Sequence, residues 1–218
     1  MKLDINELED IEDILAEIES SFNIKFEDDE LINLKTLGNL FDLIRKKIKL
    51  IQVNDCTKQQ AFYKLRYTIE TELGIDRKHI NPNTSLENIF PSKGRKQKSK
   101  KIEKKLGFKL KLVRPPLIVS ILLIFLLLAS FIGLFIIWQY GLVGIGISIF
   151  GFWIADKLGK ELDLNTVGEV AEKMTRKNYI KSRRHPETFN GEEVEKIVSD
   201  WISDALDKPD ISREIKLS

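Results

Sequence analysis

The feature that most constrains this chain is a nearly unbroken apolar block in its second half. Residues 117–137 include no charged side chain, and a second run, residues 142–155, is interrupted only by Ser148 and by glycines. A helix of about 20 apolar residues crosses a hydrocarbon core of about 30 Å. The sequence therefore predicts a transmembrane helical hairpin over residues 115–156. A buried core hairpin is the other interpretation, but a soluble domain this small could hardly cover so much apolar surface.

Aromatic residues predict two details of the hairpin. The segment Trp138–Gly141 is expected to form the turn, because Trp and Tyr favour the interface between membrane and water. The second helix, residues 140–155, is expected to be the shorter one. It would need local thinning of the bilayer, or Trp153 and Lys157 at its end, to complete the crossing.

Small residues recur at spacings of three or four along the second predicted helix. They are Gly141, Gly144, Ser148 and Gly151. Small side chains let membrane helices approach each other closely. The stripe predicts packing either against the first helix of the hairpin or against a second copy of the chain in a homo-oligomer.

The distribution of charge predicts how the hairpin is inserted. Residues 93–114 hold eleven Lys or Arg residues against one acid, Glu103, and more basic residues follow within 157–184. Basic flanks stay on the cytoplasmic side. We therefore expect a protein of the plasma (inner) membrane with two transmembrane helices and both termini in the cytoplasm. We expect no signal peptide, because residues 1–30 contain no apolar segment, and the single Cys56 suits a reducing compartment.

Outside the hairpin every predicted element is helical. Apolar residues recur at helical spacing in residues 6–21, 36–44, 57–73 and 190–206. Thr57 with Gln60 forms a capping-box pattern, and Asn190 with Glu193 predicts another helix start. No strand pattern is strong.

Two stretches of the sequence repeat. Residues 18–26 (IESSFNIKF) match residues 102–110 (IEKKLGFKL), and residues 34–42 (LKTLGNLFD) match residues 164–172 (LNTVGEVAE). The second copy is longer between its blocks by nearly the length of the hairpin. The simplest interpretation is one small helical fold used twice, with the hairpin inserted into a loop of the second copy.

These blocks extend into longer stretches that are typical of one helical family. Residues 19–44 run from the end of one helix through a complete one, and residues 62–90 include Leu73-Gly-Ile-Asp76 and Asn81-Pro-Asn-Thr-Ser-Leu86. The first stretch resembles the second half of an acyl carrier protein, and the second resembles the first half. The resemblance implies an all-α fold: two small acyl-carrier-like helical bundles plus a two-helix transmembrane hairpin.

One residue position departs from the family. Acyl carriers attach phosphopantetheine to the Ser of an Asp-Ser-Leu motif at the start of the second helix. The first copy has Leu8 there, and the nearest residue of the second copy is Ser92, which has neither the Asp before it nor the Leu after it. We therefore expect no cofactor and a loop or N-cap role for Ser92. A genuine membrane-tethered acyl carrier that uses Ser92 is the alternative.

The basic segment before the hairpin is also unlike a carrier. Carriers present an acidic second helix to basic partner enzymes. Beside a membrane, a basic helix suits anionic lipid headgroups, although a purely topogenic signal explains the same charges. The predicted lipid contacts are Lys93, Arg95, Lys96, Lys98, Lys100, Lys101, Lys104 and Lys105.

The first 30 residues have the opposite charge, with twelve acids against two lysines. Such a segment can contact the basic stretch of the chain itself or a basic partner, or it can be a solvated face. The first copy lacks a first helix, and residues 191–206 resemble a carrier's first helix with nothing after it. We therefore expect the two chain ends to meet in one circularly permuted bundle, either within one chain or between two chains.

Motifs for chemistry are few. His79 and His185 have no metal-ligand spacing, and the sequence has no phosphate loop, nucleophile elbow or zincin motif. Nucleic-acid binding is not expected, because aromatic residues do not interleave with the lysines. We expect a non-enzymatic, membrane-anchored docking or scaffold protein that contacts membrane lipids and an unidentified cytoplasmic protein. Besides the tethered carrier, a toxin-neutralising, immunity-type membrane protein is the second alternative.

The expected domain layout follows from these segments. Its ranges are 1–52 for the first carrier-like unit, completed by 190–210; 57–114 for the first part of the second unit; 115–156 for the hairpin; 157–178 for the last part of the second unit; 179–189 for a basic linker; and 190–218 for the C-terminal helix and tail.

Overall fold

The computed structural model of the chain describes residues 5–209 and 211–217, apart from the side chains of residues 5–10, 12 and 28. Within these residues 66% are helical and there are eleven α-helices. The predicted all-α class is confirmed at this level. Two of the helices are long and apolar, as the sequence predicts.

The first half of the chain contains two helices of 18 and 17 residues and several shorter ones. In order the elements are α1 (Ile5–Phe22), α2 (Asp28–Ile32), α3 (Leu37–Lys47), β1 (Ile51–Gln52), α4 (Thr57–Leu73), a 3-10 helix (Arg77–His79), α5 (Leu86–Ile89) and α6 (Arg95–Leu106).

The second half holds the apolar helices and the C-terminal helix. The order is β2 (Val113–Arg114), α7 (Leu117–Ile136), α8 (Trp138–Leu158), β3 (Glu161–Leu162), α9 (Val167–Lys177), α10 (Tyr179–Ser182), β4 (Thr188–Phe189) and α11 (Gly191–Leu206).

The strands form two minimal pairs. β1 pairs with β4 in parallel, with Ile51 opposite Thr188, and β2 pairs with β3 antiparallel, with Val113 opposite Leu162. Each strand has two residues, which is too few for the alternation that identifies a strand from sequence. The sequence analysis therefore missed all four.

The chain divides into two compact units. The first comprises Met1–Tyr67 and Gly168–Ser218, and the second comprises Thr68–Val167. The division falls within α4 and within α9. The predicted boundaries at 52, 57 and 178 stay predictions.

The core of the first unit is built from both ends of the chain. α11 packs on α1 and on α3. The N-terminal and C-terminal segments therefore meet within one chain, which is the first of the two arrangements expected for the chain ends. Phe22, Tyr179 and Trp201 meet at the centre, with the ring centroids of Phe22 and Tyr179 5.1 Å apart and those of Phe22 and Trp201 6.4 Å apart. Burial of such large side chains is the main source of stability in a small bundle.

A C-terminal strap, residues 211–217, closes the start of α3. The backbone N–H groups of Leu37 and Gly38 donate to the carbonyl oxygens of Ile215 (2.9 Å) and Arg213 (2.8 Å). The first N–H groups of a helix have no partner within the helix, so the strap satisfies two of them. Ile215 is buried in the core.

The second unit contains a comparable contact. The N–H of Val167, at the start of α9, donates to the carbonyl of Thr84 (3.0 Å), and the N–H of Leu86 donates to the carbonyl of Asn165 (2.8 Å). In the first unit the N–H of Leu217 donates to the carbonyl of Lys35 in the same way (3.0 Å). Residues 80–86 and the strap thus approach a helix start with the same backbone pattern.

The turns after α1 and α6 also match. Each has a residue with positive φ directly after the helix, Asn23 (φ 53) and Gly107 (φ 81). Glu19 accepts a hydrogen bond from the N–H of Phe26 (2.6 Å), and Glu103 accepts one from the N–H of Leu110 (2.8 Å). Both glutamates belong to the repeated block found in the sequence.

A buried arginine, Arg183, joins three segments of the first unit. Its guanidinium donates to the side chains of Thr57, Tyr179 (3.2 Å) and Thr188 (2.9 Å) and pairs with Asp55. The side chain is fully buried, and a buried charge needs such partners. The sequence analysis placed Arg183 in the basic flank of the hairpin, and its burial removes it from any surface.

Two predicted helix caps lie beside Arg183, and the structure confirms one of them and contradicts the other. Asn190 caps α11, as predicted, by accepting from the N–H groups of Glu192 and Glu193. The capping box of Thr57 with Gln60 is wrong, because the carboxylate of Glu193 takes the N–H of Thr57 at 2.9 Å. Gln60 instead donates to Asp55 (2.6 Å). The Tyr179 hydroxyl lies 3.2 Å from Glu193, and burial raises the pKa of this tyrosine.

The acidic N-terminal segment pairs in part with basic residues of the same unit. Glu17 forms an ion pair with Lys177, and Glu30 forms one with Lys47 at 2.5 Å. The Lys47 ammonium holds the pKa of Glu30 below its usual value. Lys177 and Lys47 lie outside the basic stretch of residues 93–114, so contact of the acidic segment with that stretch, or with a basic partner, stays a prediction.

We expect Arg183→Met to lower the free energy of unfolding by about 3 kcal/mol, because it removes the donor that joins Asp55, Thr57 and Thr188. Thermal unfolding of the full chain in detergent measures the change. Arg184→Met is the matched control, because the neighbouring arginine is exposed and should tolerate the change. Equal losses in the two variants would contradict the role given to Arg183.

Candidate membrane interface

The helices α7 and α8 form an antiparallel hairpin whose outer surface is almost entirely apolar and exposed. Both are long and apolar enough to cross a membrane, yet only 6% of the most apolar stretch of α7 and 17% of that of α8 are buried. Ile118, Phe135 and Phe150 are each more than half exposed. A core hairpin of a soluble domain would bury these side chains.

The turn of the hairpin is tighter than predicted. α7 ends at Ile136 and α8 begins at Trp138, so Ile137 alone connects them. The predicted turn at Trp138–Gly141 is therefore wrong, and so is the shorter second helix. The helices have 20 and 21 residues, which at about 1.5 Å per residue gives each about 30 Å, the thickness of a hydrocarbon core.

The stripe of small residues on α8 faces α7. A Cβ atom added to Gly141 would lie 2.5 Å from the backbone nitrogen of Leu134, and one added to Gly151 would lie 2.6 Å from the side chain of Leu123. A Cβ atom at Gly144 would overlap Ser130, and Ser148 is fully buried. The stripe therefore seats α8 on α7, which is the first of the two predicted uses, and it is not available to a second copy.

Two hydroxyl groups lie inside the hairpin without opening it. Ser130 donates to the carbonyl of Leu126 (2.6 Å), and Ser148 donates to the carbonyl of Gly144 (2.9 Å). Bonds back to the preceding turn satisfy a hydroxyl group in an apolar environment. These serines are compatible with a membrane span.

The open end of the hairpin is tied together by polar contacts. β2 and β3 pair directly before α7 and directly after α8, with Arg114 opposite Glu161. Lys96 donates to the carbonyl oxygens of Asp156 (2.8 Å) and Lys157 (2.7 Å) at the end of α8. The first turn of α6 is thus fixed to the base of the hairpin, and a lysine there also complements the negative end of the helix dipole.

Arg95 lies beside Lys96 and is buried. Its guanidinium donates to the carbonyl oxygens of Phe90 (2.6 Å) and Lys160 (2.5 Å) and lies 3.2 Å from a carboxylate oxygen of Glu87. Arg95 was among the predicted lipid contacts. Because its donors are occupied inside the unit, we withdraw it from that set, and Lys96 has a structural role as well.

The rest of α6 has two distinct faces. Ser99, Ile102 and Leu106 are buried, at the spacing of one helix face. The other face is basic and exposed. It consists of Lys100, Lys101, Lys104 and Lys105. Of the remaining predicted contacts, Lys93 is exposed in the preceding loop and Lys98 is half-buried.

Ser92 lies in the loop between α5 and α6 and is exposed. α6 begins at Arg95 with Gly94 as its N-cap in the left-handed conformation, so Ser92 is not the first residue of a helix. A carrier serine stands at a helix start beside acidic residues, whereas Ser92 is followed by Lys93. The residues around Ser92 do not fit a phosphopantetheine site.

The described residues offer little for metal or redox chemistry. Within 5–209 and 211–217, no group of three or more His, Cys, Asp or Glu side chains could hold a metal ion. Cys56 is exposed. His185 is exposed and lies 3.2 Å from Glu187, also exposed.

Comparison with known proteins gives no relative. No protein-family model, curated protein or solved structure matches the chain. The resemblance to acyl carrier proteins therefore stays a prediction from the sequence.

We expect Gly141→Leu to force α7 and α8 apart, because its side chain would collide with the backbone of Leu134. Gly146→Leu is the matched control, because a Cβ atom at Gly146 meets nothing within 4 Å. Spin labels on Ile132 and Val143, in a chain with Cys56→Ser, measure the separation in reconstituted protein. Equal distance distributions in the two variants would contradict this packing.

Proposed function

We propose that this chain is a non-catalytic, membrane-anchored docking protein. The hairpin α7–α8 crosses the plasma (inner) membrane twice, and both termini lie in the cytoplasm. The observation that carries the proposal is the exposed apolar surface of two bilayer-length helices that end in a polar base.

The alternative to a bilayer is water, and the exposed side chains argue against it. Exposed apolar patches on soluble monomers rarely exceed a few hundred Å², whereas nearly all exposed side chains of residues 117–154 are apolar. Polar contacts gather at one end only, where Lys96 meets α8 and β2 meets β3. That gradient along the hairpin is what a bilayer requires.

Orientation follows from the same end. The base of the hairpin is flanked by the basic residues of α6 and by Lys157 and Lys160. The opposite end, around Ile137, has no charged residue and includes Trp138 and Tyr140 in the first turn of α8. Basic flanks stay on the cytoplasmic side. The base therefore faces the cytoplasm, and only the turn reaches the far side.

The soluble parts are proposed to be two degenerate carrier-like bundles. Three matched features support a repeated fold: the glutamate bonds of Glu19 and Glu103, the positive φ of Asn23 and Gly107, and the paired contacts of residues 80–86 and 211–217 with a helix start. The strap matches a loop that precedes the second helix of a carrier. This order supports a circular permutation in the first copy.

Docking is favoured over the carriage of acyl groups. The second copy has a basic helix where carriers have an acidic one, and basic carrier-binding enzymes would be repelled by it. Ser92 lacks the motif and the helix start that modification requires. The bundles are therefore proposed to act through protein contacts, with a cytoplasmic protein as partner.

We expect Gln139→Cys, in a chain with Cys56→Ser, to react with a membrane-impermeant maleimide added to intact cells. The native Cys56 should react only after lysis, because it lies on the cytoplasmic side. Labelling of Cys56 in intact cells, or labelling of position 139 only after lysis, would contradict this topology and indicate the opposite orientation. Release of the protein by alkaline carbonate would contradict anchoring.

We expect the intact mass of the protein to stay unchanged after co-expression with a broad-specificity phosphopantetheinyl transferase. A gain of one phosphopantetheine, lost in Ser92→Ala, would establish the tethered carrier instead. Co-expression of an authentic carrier with the same transferase verifies that the enzyme is active.

A further inference from the structure

We propose that the exposed face of α6, formed by Lys100, Lys101, Lys104 and Lys105, is a binding surface for anionic lipid headgroups. This inference rests on the proposed membrane anchoring. It assigns four residues to a site. The sequence alone predicted eight lipid contacts and equally allowed a purely topogenic role for the same charges.

The position of α6 places it at the base of the hairpin, next to the proposed membrane surface. Lys96, in the first turn, bonds to the last turn of α8 at Asp156 and Lys157. After α6 the chain returns to the hairpin through β2, which pairs with β3 next to the same helix end. The first turn of α6 is therefore tied to the base of the hairpin, and the helix also contacts β2 there.

The helix is fixed about its own axis as well. Ser99, Ile102 and Leu106 are buried, and Arg95 is held by Phe90, Glu87 and Lys160. Rotation of α6 would expose these residues. The lysine face consequently keeps one orientation.

The charge of this face is not compensated by the described residues. None of residues 5–209 and 211–217 forms an ion pair with its four lysines. The only acid of α6, Glu103, accepts from the N–H groups of Leu110 and Lys111. Lys100 with Lys104 and Lys101 with Lys105 are like-charge pairs four residues apart, which destabilise a helix in water. Anionic headgroups relieve that repulsion.

Lipid headgroups fit this face better than a folded partner does. The face has no aromatic or aliphatic anchor at its centre, and protein interfaces depend on such anchors. Flexible ammonium groups suit a fluid layer of phosphates, because each lysine acts as a point charge without a fixed geometry. A negatively charged leaflet attracts basic residues that lie within a Debye length of it.

The tryptophans of the hairpin provide the test. The chain has three: Trp153 near the base, Trp138 at the turn, and Trp201, which is buried in the first unit. Trp138→Phe leaves Trp153 as reporter of the base, and Trp153→Phe leaves Trp138 as reporter of the turn. The full chain is reconstituted in phosphatidylcholine vesicles that contain either brominated phosphatidylglycerol or brominated phosphatidylcholine. The quenching of tryptophan fluorescence by each lipid then gives the relative affinity of the protein surface near that tryptophan for the two lipids.

We expect phosphatidylglycerol to be preferred by about fivefold next to Trp153 and not next to Trp138. The preference should fall at high salt and disappear in the variant K100Q/K101Q/K104Q/K105Q. The matched control is K46Q/K49Q/K196Q/K216Q, which removes the same charge from exposed lysines of the first unit and should leave the preference unchanged.

The outcomes separate this inference from the proposed function. Quenching of both tryptophans by brominated phosphatidylcholine, with no preference at Trp153, would overturn the lipid site and leave the anchoring intact. A preference that survives in K100Q/K101Q/K104Q/K105Q would assign it to other residues, such as Lys157, and would also overturn the site. No quenching of either tryptophan by any brominated lipid would overturn the anchoring itself.

Discussion

The pairing of β2 with β3 is the constraint on which the membrane part depends. It holds the residue that enters α7 and the residue that leaves α8 side by side, with Arg114 opposite Glu161. A long insertion whose two ends are adjacent adds little loop-closure cost to the fold that receives it. The hairpin therefore leaves and rejoins the rest of the second unit at one place, the β2–β3 pair. In the proposed orientation the membrane surface lies next to this pair, because the apolar helices begin and end within a few residues of it.

A second constraint is the closure of the first unit by both chain ends. α1 and α3 pack against α11, and the strap closes the start of α3. Arg183 joins Thr57, at the start of α4, to Thr188, just before α11. These contacts join residues far apart in sequence. Such contacts form late, because the chain loses loop-closure entropy before the contact contributes any stabilisation. During synthesis the helices α1 and α3 are made well before α11. The sequence of α1 is rich in acidic residues, and net charge limits association with other chains during this interval.

Sequence reasoning reached the features that depend on composition and period. The apolar runs gave the two long helices, and Asn190 gave the start of α11, because these signals are local. Arg183 and Arg95 were misjudged because charge in a sequence does not reveal burial: each is buried by backbone carbonyls or side chains from distant segments. The turn at Ile137 was missed for another reason. Trp138 and Tyr140 favour an interface equally well in the first turn of a helix and in a loop, so their presence did not locate the break.

The basic residues before the hairpin do not share one role. Arg95 and Lys96 differ in their contacts from the lysines that follow them. A topogenic signal needs only the count of basic residues near a span, and any arrangement of the eight would serve it. In the folded unit Arg95 and Lys96 bind carbonyl oxygens. The last four lysines lie on one face, opposite the buried Ser99, Ile102 and Leu106. Insertion alone does not call for that segregation. A binding surface that persists after insertion explains it, because repulsion among neighbouring lysines destabilises the helix unless anions offset that repulsion. The arrangement of α6 thus favours a lasting contact with headgroups over a signal used once.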